Sequence, residues 1–311
     1  AQQSNVTSYG ATTVAIITLQ VFAGMWINAF LVCVLCIAWV KKKTLNSNEK
    51  ILLLLGCSRF WHLCISWVYS FLSIIYPHYF YVQPTRKFIL SIQNFFDCTN
   101  FWVSACLCVF YCIKIANFRN RCLVHLKVKI DRIVPWLLLG SVLLSLAISS
   151  CLYNIIDKAQ CNNRNSTGQE NLSKVSGKMD DVFFHIYFIY GFGFVTSFTT
   201  VIFSAVFLLF SLWRHKHKMQ TNSTNNLNMD AHIRAMKSIL SFFIIYSINF
   251  VFVTFTLIPS RREENPMMFL VYIFLYGFPC VHSLILIFSK PKLKNTLIQI
   301  LSRVKCKVCM R

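Results

Sequence analysis

Seven long runs of apolar residues constrain this 311-residue chain more than any other feature of its sequence. Each run is long enough to cross a bilayer as a helix, which takes about 20 residues. The predicted spans are residues 14–40, 51–75, 88–113, 133–156, 182–213, 239–260 and 266–289. Because only helices and closed barrels satisfy the backbone in lipid, we predict an all-α membrane protein with a seven-helix bundle over residues 1–289.

The distribution of charge predicts how the bundle is oriented. The net charge is +21, a value that could also indicate nucleic-acid binding. However, 22 Lys and Arg residues fall in the four segments on one side of the spans and 8 on the other side. Positive residues concentrate in the cytoplasmic loops of membrane proteins. We therefore expect a plasma-membrane protein with an extracellular amino terminus, a cytoplasmic carboxyl terminus and no nucleic-acid partner.

Three asparagines on the predicted outer segments lie in glycosylation sequons: Asn5, Asn165 and Asn171. Glycosylation acceptors belong on outer loops, so these positions agree with the charge-based orientation. The first span is too long for a cleaved signal peptide, and we expect it to be retained.

The segment 290–311 is basic and carries apolar residues at helical spacing, which predicts a short amphipathic helix on the membrane surface. Cys306 and Cys309 lie in this segment. Their spacing is a weak metal signal without a second pair, so acylation and plain free thiols remain the two open interpretations. We predict no metal site and no cofactor.

Polar residues inside the spans mark where helices contact each other or a ligand. Asn28 is central in the first span, and the second span contains the ionisable residues Arg59 and His62. Arg59 lies too deep to reach the interface easily. We expect it to connect helices by contacting Asn28 or the seventh span, and a direct signalling role is the alternative. Asp97 is the acid of the third span, with Gln93 one helical turn before it.

The chain resembles the type 2 taste receptors, the G-protein-coupled receptors for bitter compounds. Four segments carry the resemblance: Phe110–Phe118 at the end of the third span, Leu208–Met219 at the end of the fifth, Ala231–Tyr246 at the start of the sixth, and His282–Lys294 at the end of the seventh. Each motif is weak alone, but four in the correct order are specific. The acid-Arg-aromatic triplet and the Asn-Pro-x-x-Tyr motif of rhodopsin-like receptors are missing from the sequence.

The chain departs from the family pattern at several positions. Ala38 stands where the family commonly has Asp, Lys290 where it has Asn, and Ser197 where proline is usual. The frequent Trp and Asn agonist positions of the family fall on Gln93 and Asp97. These two replacements predict an unusual set of agonists.

The resemblance implies a receptor for small bitter molecules that activates a heterotrimeric G protein of the gustducin-like or inhibitory type. A membrane lipid or sterol is a further candidate partner. For G-protein coupling we predict Tyr111, Lys114, His215, His232 and Lys237, at the cytoplasmic ends of spans three, five and six.

For the agonist pocket we predict Gln93, Asp97, Tyr190, Gly193, Tyr246, Asn249 and Tyr272. Gln93 and Asp97 share one helix face, at a depth that a small molecule could reach. Two alternatives remain open for Asp97, which are a protonated core residue and an ion pair with Arg59. The structural polar core is predicted to comprise Asn28, Arg59, His282 and Ser283.

Two other protein classes were weighed against a receptor. A transporter typically has internal repeats and several charges at mid-membrane, and the sequence shows no repeat. A pheromone-type seven-helix receptor is the nearest alternative, and the motifs of the fifth and seventh spans distinguish this chain from that class. An enzyme would need a nucleophile–base pair, a metal cluster or a phosphate loop, and the sequence offers none.

Overall fold

The structure is a computed structural model that describes most of the predicted spans. The described residues are 8–76, 85–115, 121–165, 188, 191–211, 213–214, 240–241, 243–255 and 266–309. Within them the chain forms eight helices, which we number α1 to α8. They are α1 (Ser8–Lys42), α2 (Ser47–Ile75), α3 (Thr85–Ile115), α4 (Arg121–Asn165), α5 (Gly191–Ser211), α6 (Phe243–Phe255), α7 (Pro266–Phe288) and α8 (Pro291–Cys309).

Six of these helices are long and apolar enough to cross a bilayer, and α6 is a shorter apolar helix within the described residues. The protein is therefore an all-α, multi-pass membrane protein. Each predicted span overlaps one of the helices α1 to α7. The helices α1 and α4 extend well past the predicted spans, because a helix continues through polar residues until its backbone is capped or the chain turns.

The turn between α1 and α2 shows how local sequence ends one helix and starts the next. Lys43 adopts a left-handed backbone with φ 57°, and its N–H donates to the carbonyl of Trp39 at 2.8 Å. Asn46 precedes α2, and its N–H donates to the Glu49 carboxylate at 3.0 Å. A side chain that reaches back in this way satisfies a backbone donor at the helix start.

The helices pack in an order that makes α3 central. The helix α1 lies against α2 and α7, α2 lies against α3, and α3 lies against α4. The contacts between α3, α5 and α6 form one apolar cluster, which includes Phe101, Phe194 and Tyr246. A larger cluster joins α1, α2, α3, α4 and α7 at the end of the bundle where α3 finishes at Ile115.

The helix α8 continues the bundle after a short turn. Leu293 is buried and Leu297 packs against the large cluster, whereas Lys292 and Lys294 are exposed. One face of α8 therefore contacts the bundle while cations occupy the other. This arrangement makes α8 a short amphipathic helix.

The outward surface of the bundle is apolar. Trp26, Trp136 and Phe203 are each more than two-thirds exposed, and they belong to α1, α4 and α5. A soluble monomer rarely exposes large contiguous apolar patches. Exposure of this kind on several helices is what a lipid-facing surface requires.

Gly56 lets α2 approach α1 closely. A Cβ at this position would lie 3.0 Å from Cγ2 of Val32 and 3.4 Å from Cδ2 of Leu31. Val32 is β-branched and cannot easily rotate away. The small residue at position 56 thus sets the distance between the first two helices.

We expect Gly56→Leu to lower the melting temperature of the detergent-solubilised protein and its amount at the cell surface. Overpacking a tight contact costs about 1–3 kcal/mol. Gly140→Leu is the matched control, since a Cβ at Gly140 meets nothing within 4 Å and the gain in helix propensity is the same. Equal melting temperatures for the two variants would contradict the close α1–α2 contact.

Candidate functional site

Arg59 is the centre of a buried polar network between α1, α2 and α7. Its side chain is only 2% exposed, and Nη1 donates to Oγ of Ser283 at 2.9 Å. Nη2 contacts Nδ1 of His282. Ser283 in turn donates to Oδ1 of Asn28 at 2.7 Å. The four predicted core residues thus lie together, and Arg59 contacts α7 directly and Asn28 through Ser283.

Asp97 forms its ion pair with a residue that the sequence did not single out as a site. Nδ1 of His62 lies 3.1 Å from Oδ1 of Asp97, and the two side chains are 11% and 25% exposed. The alternative pairing of Asp97 with Arg59 is therefore not the arrangement observed, because Arg59 is directed to α7. His62 follows Arg59 by three residues, a spacing that places both on one side of α2. That spacing is the sequence feature that could have indicated a site role for His62.

On α7, Tyr276 is buried and contacts α2, whereas Tyr272 is more exposed. The Tyr276 hydroxyl is 2.8 Å from Oγ of Ser70 on α2. Tyr272 is 38% exposed, with its ring 6.4 Å from that of Tyr276. The agonist-binding role of Tyr272 stays a prediction.

Gln93 lies one turn from Asp97 on α3, as predicted. Its side-chain Oε1 is buried, and within the described residues it has no hydrogen-bond partner. An unsatisfied buried acceptor costs free energy. This amide oxygen could therefore accept a hydrogen bond from a ligand that reaches the layer of Asp97.

Below this polar layer the contact between α3, α5 and α6 is aromatic. The ring of Phe101 lies 4.6 Å from that of Phe194 and 6.4 Å from that of Tyr246. Phe198 and Phe250 stack with centroids 3.8 Å apart. These rings form an aromatic cluster that begins one helical turn from Asp97 along α3.

The remaining predicted pocket residues differ in their positions. Tyr246 and Asn249 are both buried on α6. Gly193 faces α4, because a Cβ there would lie 3.2 Å from Cδ1 of Ile148, so it permits a helix contact. Tyr190 lies outside the described residues.

A second polar region lies at the end of the bundle where α3 finishes. Nζ of Lys114 is 2.6 Å from Oδ2 of Asp131 on α4, and both side chains are about half exposed. Ser47 at the start of α2 donates to the backbone carbonyl of Asp131 at 3.2 Å. The Tyr111 hydroxyl donates to Oδ1 of Asn48 at 3.2 Å. Tyr111 and Lys114 thus connect α3 to α2 and α4.

The other predicted residues at this end cannot be compared with the structure. His215, His232 and Lys237 lie outside the described residues, as do the glycosylation candidates Asn5 and Asn171. Asn165 is the last residue of α4. Within the described residues no group of three or more potential metal ligands comes together.

Comparison with known proteins identifies the family. The family model described as "Taste receptor protein (TAS2R)" matches residues 6–305. Among similar proteins, Taste receptor type 2 member 2 of Homo sapiens is 29% identical over 296 residues, which cover 93% of this chain and 95% of the relative. Taste receptor type 2 member 7 of Macaca mulatta is 31% identical over 306 residues, with 93% and 92% covered.

A third relative, Taste receptor type 2 member 105 of Mus musculus, is 28% identical over 300 residues and covers 94% of this chain and 96% of its own length. The match thus extends over every helix of the bundle and over the polar core. The seven-helix architecture, the apolar outer surface and these similarities agree, and the chain belongs to the TAS2R family of G-protein-coupled taste receptors.

Proposed function

We propose that this receptor binds small bitter molecules inside the helix bundle, at the layer of Asp97, and activates a gustducin-type heterotrimeric G protein. The observation that supports the proposal is a group of polar atoms within the membrane-spanning helices α2 and α3. Asp97 remains a quarter exposed although it pairs with His62, and the nearby Gln93 Oε1 lacks a hydrogen-bond partner within the described residues. Polar groups at this depth are costly and usually functional.

The aromatic cluster of α3, α5 and α6 supports the same proposal. Ligand pockets are mostly apolar and have a few placed polar groups that fix orientation. The rings of Phe101, Phe194 and Tyr246 would contact the apolar part of an agonist, while Asp97 and Gln93 would bind its polar part. Such a site suits amphipathic molecules, especially those with a cation or a strong hydrogen-bond donor.

Activation requires only that the agonist bind the active conformation more tightly than the inactive one. We place the amino terminus and the Thr85 end of α3 outside the cell, and Lys114 at the cytoplasmic face. The positive-inside distribution of Lys and Arg supports this orientation. A docking G protein would then meet Tyr111 and Lys114, together with His215, His232 and Lys237.

The function is tested by calcium flux in cells that express the chain with a promiscuous or chimeric G protein, against a panel of bitter compounds. A response that depends on the receptor and on the G protein is the expected result. Surface staining confirms delivery to the membrane. A correctly delivered receptor that responds to none of the compounds would contradict the proposal.

Asp97→Asn should weaken cationic agonists by about tenfold or more, because hydrogen bonds to charged groups contribute about 1.5–3 kcal/mol. Neutral agonists should change little, since asparagine keeps the shape and an acceptor oxygen. Concentration–response curves for both ligand kinds measure the difference. Equal losses for both kinds, together with poor surface delivery, would mean that Asp97 has a structural role.

Lys114→Gln should reduce G-protein activation while agonist binding is retained. The Lys114–Asp131 pair is half exposed, and such pairs contribute about 0–1 kcal/mol, so the variant should fold. Asp131→Asn is the matched control, because it breaks the same ion pair and leaves the Lys114 cation in place. Retained activation in the control supports direct docking by Lys114, and equal losses in both variants would contradict it.

Arg59→Ala should reduce surface delivery or raise basal activity. It leaves the buried Ser283 without its donor, and an unsatisfied buried polar group costs about 1–3 kcal/mol. Flow cytometry and ligand-free signalling measure the two effects. Arg59→Lys, which retains the charge with fewer donors, should give a milder effect. Normal delivery with unchanged basal and agonist responses in Arg59→Ala would refute the role of the network.

A further inference from the structure

Only two residues separate α8 from α7, which is apolar and long enough to cross a bilayer. The helix α7 ends at Phe288, whose side chain is 52% exposed on the outer surface of the bundle, and α8 begins at Pro291. In the turn between them, the N–H of Lys290 donates to the carbonyl of Ile287 at 3.1 Å. This short connection keeps the start of α8 at the level where the lipid-facing surface of α7 ends.

An apolar stripe runs along one side of α8 and continues past the bundle. Positions 293, 297, 300 and 301 have the spacing of a single helix face. Leu293 is buried, and Leu297 packs against the large apolar cluster. Ile300 and Leu301 follow on the same face, but they are 44% and 59% exposed. The bundle therefore covers the first half of the stripe and leaves the second half open.

Exposed cations border this stripe on both sides. Lys294 lies two turns before Leu301 and shares its flank of the helix. Lys292 and Arg303 are three turns apart and share the other flank. All three cationic side chains are exposed. The face opposite the stripe is polar and uncharged, and its exposed residues are Asn295, Gln299 and Ser302.

The charge of this segment has one sign. Residues 290–311 contain seven Lys and Arg residues and no Asp or Glu. The segment thus cannot neutralise its own cations, and an anionic partner must come from outside it. Basic segments next to a membrane helix are attracted to anionic lipids, and an apolar helix face can enter the boundary between headgroups and acyl chains.

We propose that α8 binds anionic phospholipids of the leaflet next to the end of α7. Ile300 and Leu301 enter the acyl boundary, and Lys292, Lys294 and Arg303 contact lipid phosphates. The long stems of Lys and Arg can lie along apolar surface while their charged ends reach a phosphate. In the orientation proposed above, this leaflet is the cytoplasmic one.

A bilayer fits this face better than an acidic protein segment does. The lipid-facing surface of α7 ends within two residues of α8, so lipid headgroups are adjacent to α8 whenever the bundle lies in a membrane. An acidic protein would have to displace them. The lipid site is also separate from the proposed agonist site, so a receptor that responds to no bitter compound leaves the lipid test unaffected.

The open half of α8 gives the readout. An amphipathic helix end without a partner opens readily, because most helical stability comes from packing of the apolar face. Amide hydrogen exchange measures such local opening. The test compares exchange of residues 297–303 in the full-length receptor between nanodiscs of phosphatidylcholine alone and nanodiscs that also contain phosphatidylserine.

We expect exchange in the wild-type receptor to be slower by about tenfold when phosphatidylserine is present, because anionic lipid attracts the basic helix. High salt should reduce this difference, since it screens exposed charges. Soluble glycerophosphoserine added to the phosphatidylcholine nanodiscs should not slow exchange. Equal exchange in the two kinds of nanodisc would overturn the proposal, and equal protection by the soluble headgroup would replace the bilayer with a free phosphate.

The cations are tested together in the variant Lys292→Gln, Lys294→Gln and Arg303→Gln. We expect this variant to lose the effect of phosphatidylserine and to keep the wild-type melting temperature, because the replaced side chains are exposed. The matched control removes three exposed cations from α1 and α4, by Lys41→Gln, Lys42→Gln and Lys129→Gln. It should keep the wild-type difference, and an equal loss in the control would contradict a specific role of α8.

The apolar half is tested by Ile300→Gln with Leu301→Gln, which retains good helix formers and all cations. We expect this variant to exchange faster than the wild type in phosphatidylserine nanodiscs. Full protection in this variant would contradict insertion of the stripe. Protection that appears only after a G protein is added, in either kind of nanodisc, would assign this face to a protein partner and overturn the proposal.

Discussion

The guanidinium of Arg59 is buried between α2 and α7, where neither water nor the membrane surface can solvate it. A cation in this position is stable only if the surrounding helices supply acceptors, so α7 must present Ser283 and His282 to it. Asn28 joins from α1 through Ser283. The rotation of three helices about their axes is therefore set by one side chain.

The other half of the bundle is held by a different kind of contact. The helices α3, α5 and α6 meet through the stacked and edge-on rings of Phe101, Phe194, Phe198 and Phe250. Aromatic pairs contribute about 0.5–1.5 kcal/mol beyond their buried area, and rings can slide against each other without leaving a polar atom unsatisfied. Breaking the Arg59 network would leave polar atoms without partners. A movement of α5 or α6 against α3 should thus cost less than a movement of α1, α2 and α7 relative to each other.

Most of the fold could be predicted because length and polarity decide what crosses a bilayer. The helix ends could not be predicted, because hydropathy reports the membrane boundary rather than the residue at which the helix is capped. For example, α4 begins at Arg121 rather than near residue 133. The need of Arg59 for a partner was also predictable, because a buried cation requires one. The seventh span was one of its expected partners, but the sequence left a pairing with Asp97 open, because depth along an axis leaves the rotation of the helix undetermined.

At the candidate site, too, the sequence left the rotation of each helix about its axis undetermined. Gly193 was assigned to the ligand wall by composition, but it faces Ile148 of α4. Tyr272 and Tyr276 are four residues apart and share a helix face, so the sequence alone could not decide which of them contacts α2. His62 was visible as an ionisable residue, yet its pairing depends on how α2 and α3 are rotated toward each other.

The central position of α3 connects the two polar regions of the receptor. Asp97 and Lys114 lie on the same helix, roughly 25 Å apart at about 1.5 Å per residue. Between them, Phe101, Ala105 and Cys108 pack against α5 and α6. If an agonist binds Asp97, as we propose, it changes the force between α2 and α3 at the His62 contact. Because a helix transmits displacement along its axis and the aromatic contacts can slide, the Lys114 end of α3 is where that change would reach a G protein.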